Sequence, residues 1–179
     1  IRQEIGMLFQ GSALFDSLSV LQNVLFPLQM FATMSKKEMV ERAHFCLNRV
    51  NILEKDHLFP AELSGGMQKR VGIARAIAMN PKFLFCDEPN IGLDPQTSIL
   101  IDDLIKEITE EFDITTIVIT HDMNSVMETG ENIIFINQGR KWWEGSKDDL
   151  LVSDNKELND FIFAGGLMRQ VKKAMSGLS

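Results

Sequence analysis

The chain has 179 residues, 45% of them apolar, with 18 Lys and Arg against 25 Asp and Glu for a formal net charge of -7. That composition supports a sizeable buried core and argues against a disordered chain. The acidic balance also argues against a surface built mainly to neutralise nucleic-acid phosphates. No apolar run reaches the roughly 20 residues that cross a bilayer. The run "VLFPLQMFATM" is broken by Pro27 and Gln29, so any membrane role is expected to come through a partner. Cys46 and Cys86 fall in an expected helix and an expected buried strand, a pattern of core residues rather than a disulfide framework, which fits a reducing cytoplasm. The chain opens at Ile1 within what reads as a strand, without a secretion signal, and the expectation is a fragment.

In chain order, Ile5, Met7, Leu8 and Phe9 make a short apolar strand that stops at Gln10-Gly11-Ser12. Residues 12–80 then read as mostly helical. Ser35 and Glu38 have the spacing of a capping box, and Met39, Ala43, Cys46, Leu47 and Val50 follow on one face, predicting a helix over about 36–50. Pro60 and "LSGG" interrupt the pattern, and Met67, Val71, Ala74 and Ala78 resume it until Asn80-Pro81. From residue 82 strands alternate with helices. "KFLFCD" reads as a strand buried on both faces, Ile101, Leu104, Ile105, Ile108 and Phe112 stripe a helix, "ITTIVIT" is a second buried strand, residues 122–129 are helical, and "NIIFIN" is a third strand. The alternation predicts an α/β domain with parallel strands. "NQGRKWWEGS" reads as a turn at Gly139 into a returning strand, residues 146–163 as helical, and the end as a glycine break before a short basic amphipathic piece.

Chemistry-bearing residues collect where strands end. Asp87 and Glu88 close the strand "FLFCDE", and ligands of open α/β sheets gather at the carboxyl ends of strands. One carboxylate could hold Mg²⁺ and the other polarise a water for attack on a phosphate; a lone pair of this kind could equally be a solvated strand terminus. Ser64, Gly65 and Gly66 precede a helix whose first-turn amides lack intrahelical partners, an anion-binding end to which glycines allow close backbone approach, or an ordinary N-cap. Lys69, Arg70 and Arg75 follow, as further cations or as solvated side chains. His121 comes directly after "TTIVIT", where it could contact a terminal phosphate or orient water. Gln10, also at a strand end, could bind metal or water, or simply begin a polar loop.

Taken in order, these segments resemble the nucleotide-binding domain of ABC transporters. "LSGGMQKR" resembles its signature motif, "FLFCDEP" its Walker B strand, "NIGLDP" its D-loop, "VITHD" its H-loop and "GMLFQ" its Q-loop, over residues 1 to about 150. The resemblance implies a P-loop NTPase-like ABC ATPase core with a mostly parallel sheet, an inserted α-helical subdomain and truncated N-terminal strands. The expected division is 1–11 for the end of a core strand and the Q-loop, 12–80 for the helical subdomain, 81–163 for the α/β core and 164–179 for a tail. It implies Gln10 near Mg²⁺ and water, Ser64, Gly65 and Gly66 facing the γ-phosphate of ATP on another subunit, and Asp87 as the Mg²⁺-linked aspartate. It further implies Glu88 as the base or water-polarising carboxylate, Asp94 as a dimer-contacting residue and His121 as the switch histidine. Two runs, "GMLFQGSALFDSLSVLQNVLFPL" and "ELSGGMQKRVGIARAIA", look most like the Mla-type ATPases that energise phospholipid movement in bacterial envelopes.

The implied partners are a second ATPase subunit and an integral-membrane permease, docking at residues 10–30, with no nucleic acid. The apolar side chains of 10–30 could equally be internal core. The implied location is cytoplasmic, peripheral at the inner face of the membrane. Two features depart from the family pattern: Asn90-Ile91 stands where Thr-Ser is common, and no G-x-x-x-x-G-K-[ST] phosphate loop occurs. Family architecture puts that loop upstream of Gln10, so the fragment alone is expected to be inactive and prone to self-association. The rival expectations are a non-transport ABC protein of translation or DNA repair, and a regulatory module without turnover.

Overall fold

The protein is described by a computed structural model covering residues 2–163, so the expected tail at 164–179 lies outside the described residues. The chain divides into two compact units, Ile1–His121 and Asp122–Ser179.

In the first unit, β1 (Ile5–Leu8), β2 (Phe83–Asp87) and β3 (Thr115–Ile119) form a parallel sheet in the order β1-β2-β3. Ile5 pairs with Phe83 and Phe83 with Thr115. Between β1 and β2 run α1 (Val20–Phe31), α2 (Lys36–Arg49) and α3 (Gly65–Ile77); α4 (Pro95–Glu111) connects β2 to β3. Each helix begins at an oxygen-bearing side chain, because its first amides have no partner inside the helix. Ser19 and Gln22 form one capping box, and Ser35 and Glu38 form the predicted one, with the Glu38 amide donating to Ser35 Oγ at 3.3 Å and the Ser35 amide to Glu38 Oε2 at 2.7 Å. The striped face of α4 is buried as read, through Ile101, Leu104, Ile105 and Ile108. One continuous core joins the helices of 12–80 to the strands, running from Leu8 through Val24, Leu47, Ile73 and Leu84 to Ile114.

Contact between α3 and β1 is set by glycine. A Cβ on Gly6 would lie 2.5 Å from the Ala76 carbonyl oxygen, and one on Gly72 would lie 2.8 Å from Leu8 Cδ1. The sheet face holding Gly6, Leu8, Leu84 and Cys86 is therefore shut. The opposite face is not: Ile5, Met7, Phe83, Ile117 and Ile119 are 39–54% exposed. This corrects the reading of "KFLFCD" and "ITTIVIT" as strands buried on both faces. An all-apolar strand is compatible with two covered faces but does not supply the second cover.

The second unit contains α5 (Met123–Thr129), β4 (Ile133–Asn137), β5 (Arg140–Gly145), α6 (Lys147–Val152) and α7 (Lys156–Ile162). β4 and β5 form an antiparallel hairpin, closed by Gln138 and Gly139 at φ 49° and 72°. Two successive positive φ angles are the geometry that matches hairpin twist. The turn at Gly139 stands as read, but "NIIFIN" is a hairpin strand rather than a third parallel one. The stretch 146–163 is helical as read, in two short helices separated at 153–155. Asn155 caps α7, its Oδ1 accepting from the Leu158 amide at 2.9 Å, while the Asn155 amide donates to Ser153 Oγ. Leu150, Leu158, Ile162 and Phe163 form a separate small core with Phe135 and Trp143. Among the described residues no helix is long and apolar enough to cross a membrane. Both cysteines are buried free thiols, pushed up by burial to about 11 for Cys46 and about 12 for Cys86.

Candidate functional site

At the carboxyl end of β2 the chain turns sharply. Glu88 takes φ 46°, a left-handed conformation that costs a non-glycine residue of order 1 kcal/mol and clusters at functional sites. The turn aims the Glu88 carboxylate at the end of β3, where Oε1 accepts from His121 Nδ1 at 2.8 Å and Oε2 accepts from Thr120 Oγ1 at 3.5 Å. A carboxylate only accepts, so the imidazole proton sits on Nδ1. The structure thus joins two of the predicted residues, Glu88 and His121, from adjacent strands. It adds Thr120, which the sequence reading passed over although it precedes the histidine in "VITHD".

Asp87, half-buried beside Glu88, pairs through its backbone with Ile119, while its carboxylate makes no side-chain hydrogen bond or ion pair among the described residues. No cluster of three or more His, Cys, Asp or Glu able to enclose a metal occurs among them either. A single strand-tip carboxylate does not make a protein cage, but it does suit Mg²⁺, which keeps several waters and takes one or two carboxylates beside phosphate oxygens.

Ser64 is the N-cap of α3, its Oγ accepting from the Met67 amide at 3.3 Å. Gly65 is exposed, and a Cβ there would touch Leu93 at an ordinary 3.5 Å. Gly66 differs, since its Cβ would meet Thr97 Cγ2 at 2.7 Å. Helix packing against the start of α4 therefore requires Gly66, a reason separate from close approach to an anion. Thr97 is itself pinned by Asp94, the N-cap of α4: Asp94 Oδ1 accepts from the Thr97 amide at 3.0 Å and Oδ2 from Thr97 Oγ1 at 2.5 Å. These bonds hold the Asp94 carboxyl below the usual aspartate value. Asn90, one of the two departures noted in the sequence, donates from Nδ2 to Asp102 Oδ2 of α4 at 2.8 Å, and both are buried. The substitution thus anchors the loop 88–94 to α4.

Gln10 is exposed just beyond β1. It lines a cavity of about 510 Å³ together with Gly65, Lys69, Ile91 and Leu93, so the loop after β1, the start of α3 and the loop before α4 share one concavity. A second cavity, of about 420 Å³ and mostly apolar, lies among Met7, Phe9, Phe15, Phe26, Pro27 and Phe31.

The cations of α3 are the largest surprise. Lys69 is 4% exposed, and its ammonium donates to the backbone carbonyls of Gln10 and, at 3.3 Å, Glu88. Burial pushes it below the ordinary lysine value, against the pull of Cys86 and of the Asp87 and Glu88 carboxylates. Arg75 donates to the carbonyls of Ser12 at 2.6 Å and Ala13 at 2.7 Å and lies over the Phe15 ring, while Arg70 reaches the Val50 carbonyl. The solvated reading of these three residues is overturned. A signal was available: Val71, Ile73, Ala74, Ala76 and Ile77 leave α3 apolar on most sides, so a lysine one turn earlier had little water to reach.

With this geometry in place, the chain matches the ABC transporter family over residues 1–90. It is 42% identical over 153 residues to a methionine import ATP-binding protein MetN of Carboxydothermus hydrogenoformans, covering 86% of this chain and 45% of that protein. It is 41% identical over 162 residues to MetN of Desulfitobacterium hafniense, covering 90% and 47%. The chain spans about half the length of the curated relatives it matches. Among solved structures it is similar to the ABC transporter cassette MJ0796 in a dimeric structure, with TM-score 0.73, 38% identity, and coverage of 82% of this chain and 65% of that one. A dimeric post-hydrolysis state of MJ0796 bound to ADP and Pi gives TM-score 0.72, covering 82% and 64%. These relatives bear names of methionine import, so they give the finer lipid resemblance no support.

Proposed function

Because the chain belongs to the ABC transporter family and has the ABC cassette fold, we propose that the protein containing it is the ATP-hydrolysing subunit of a transporter. The observation that carries this reading is the Glu88–His121 pair at the ends of two parallel strands, held by a left-handed turn. In the reading, Glu88 orients or deprotonates the attacking water and His121, with its proton fixed on Nδ1, keeps that carboxylate aimed. Asp87 would hold Mg²⁺, which supplies charge neutralisation on the transferred phosphate. Gln10, beside the same strand ends, senses the metal or water. Ser64, Gly65 and Gly66 present the amino end of α3 to ATP carried by a second copy, and Asp94 lies at the contact between copies. The dimeric MJ0796 structures support the two-copy arrangement by similarity.

A membrane permease would dock at residues 10–30, where the apolar cavity around Phe15, Phe26 and Phe31 offers a seat. That arrangement fits a cytoplasmic subunit peripheral to the membrane. For the cargo, the relatives' names favour methionine, while the sequence run 6–28 favours a phospholipid. Reconstitution of the full-length protein with its permease separates them by methionine uptake against phospholipid exchange between vesicles.

Hydrolysis is tested in the full-length protein with Glu88→Gln. The variant should lose turnover by at least about a hundredfold while still binding ATP and still dimerising with it. Retained turnover in Glu88→Gln would overturn the assignment.

A further inference from the structure

We propose that Lys69 is a positioning residue for the hydrolytic step, tying the loop after β1 to the end of β2 so that Gln10 and Glu88 shift together. The inference rests on the ATPase reading above.

The Lys69 ammonium is buried, and two of its donors go to main-chain carbonyls on separate segments, Gln10 beyond β1 and Glu88 beyond β2. Burying a cation is tolerable only while its donors are satisfied. If the loop carbonyl of Gln10 withdraws, Lys69 loses a charge-assisted hydrogen bond unless its ammonium follows the loop and draws the Glu88 carbonyl with it. Both tethered segments are conformationally loaded: Glu88 has φ 46°, and Ser12 and Ala13 have φ 61° and 44°. Arg75, six residues further along α3, clamps Ser12 and Ala13 but makes no bond to Glu88. The helix therefore grips the loop at two points, and Lys69 is the one that continues to the carboxylate-bearing turn. A displacement of loop 10–13 by anything seated on it would reach Glu88 through a single side chain. Because two carbonyl acceptors are what is bridged, the donors matter more than the volume. Methionine of similar length would fill the space and break the bridge, whereas arginine would keep it.

The test uses the full-length protein and its Lys69→Met and Lys69→Arg variants, with turnover expressed per ATP-binding site titrated. A folding loss then appears as missing sites and not as a slower site. Lys69→Met should lower kcat by at least about tenfold with KM for ATP changed by less than about threefold, and Lys69→Arg should return kcat to within about threefold of the parent. A Lys69→Met protein turning over within about twofold of the parent, or a Lys69→Arg protein as slow as Lys69→Met, would overturn the proposal. If the parent itself has no turnover, the ATPase reading fails and takes this proposal with it; a normal parent beside a normal Lys69→Met sinks the Lys69 role alone.

Discussion

The two faces of the three-stranded sheet are built from the same strands and nearly the same residue types, yet one is shut and the other open. Leu8, Leu84 and Cys86 are fully buried in the core that includes α3, while Ile5, Met7 and Phe83 on the alternate positions are each about 40% exposed. Hydrophobicity does not distinguish them. What does is Gly6, which lets the α3 backbone approach until no side chain fits between. A small residue in a strand, read as absence of packing, here marks where packing is tightest.

That contrast can be broken most severely at Gly6 itself. Gly6→Ala would force a Cβ to within 2.5 Å of a backbone carbonyl that cannot rotate away. A loss of about 3 kcal/mol is expected in urea unfolding, comparable with the about 2–5 kcal/mol for Leu8→Ala on the same face. Met7→Ala, on the open face, should cost about 1 kcal/mol or less. Equal losses for Gly6→Ala and Met7→Ala would erase the distinction between the faces.

A milder version of the same test compares the two glycines that open α3, Gly65 and Gly66. Gly66→Ala meets Thr97 Cγ2, which cannot swing aside without giving up the bond from Oγ1 to Asp94. Its steric cost, set against the helix-propensity gain of alanine, leaves a net loss of about 1 kcal/mol by thermal unfolding. Gly65→Ala has room and should be neutral or stabilising by about 0.5 kcal/mol.

The smallest effect belongs to a contact with no steric closure at all. Asp94 is held below the ordinary aspartate value of 3.8, first by the Thr97 hydroxyl and then by the Thr97 amide. A depressed carboxylate contributes its stability in full above the unfolded value and loses it as pH falls through the folded one. The contribution should therefore be intact at pH 5 and above and fade below about pH 4. Thr97→Val should flatten that acid limb in a circular-dichroism titration of α4 stability; an unchanged limb would mean that Asp94 is not the group titrating.

Much of this architecture was legible. The capping box at Ser35 and Glu38, the stripe of α4 and the Gln138-Gly139 turn are local patterns whose partners lie within a few residues, so sequence spacing suffices. The pairing of Glu88 with His121 was legible as two strand-end residues, because parallel strands align their carboxyl ends. The open face was not, since exposure depends on what stands opposite a strand and not on the strand. Lys69 was misread for a related reason: a charged side chain looks solvated until the apolar character of its whole helix is weighed. The returning strand after Gly139 was legible from its turn, but the separation of β4 from the parallel sheet was not, because alternation of strand and helix suggests one continuous parallel sheet.

The placement of three helices between β1 and β2 bears on how the chain acquires its structure in time. Ile5 cannot meet Phe83 until α1, α2 and α3 have brought the ends of that long excursion together, whereas Ile133 and Gly145 need only a two-residue turn. Local hairpins close in about 1–10 μs, and distant strand pairs must first meet the entropy of a large loop. The hairpin should thus be an early event, and the sheet that carries Glu88 and His121 among the last parts to assemble, its alignment inherited from helices already in place.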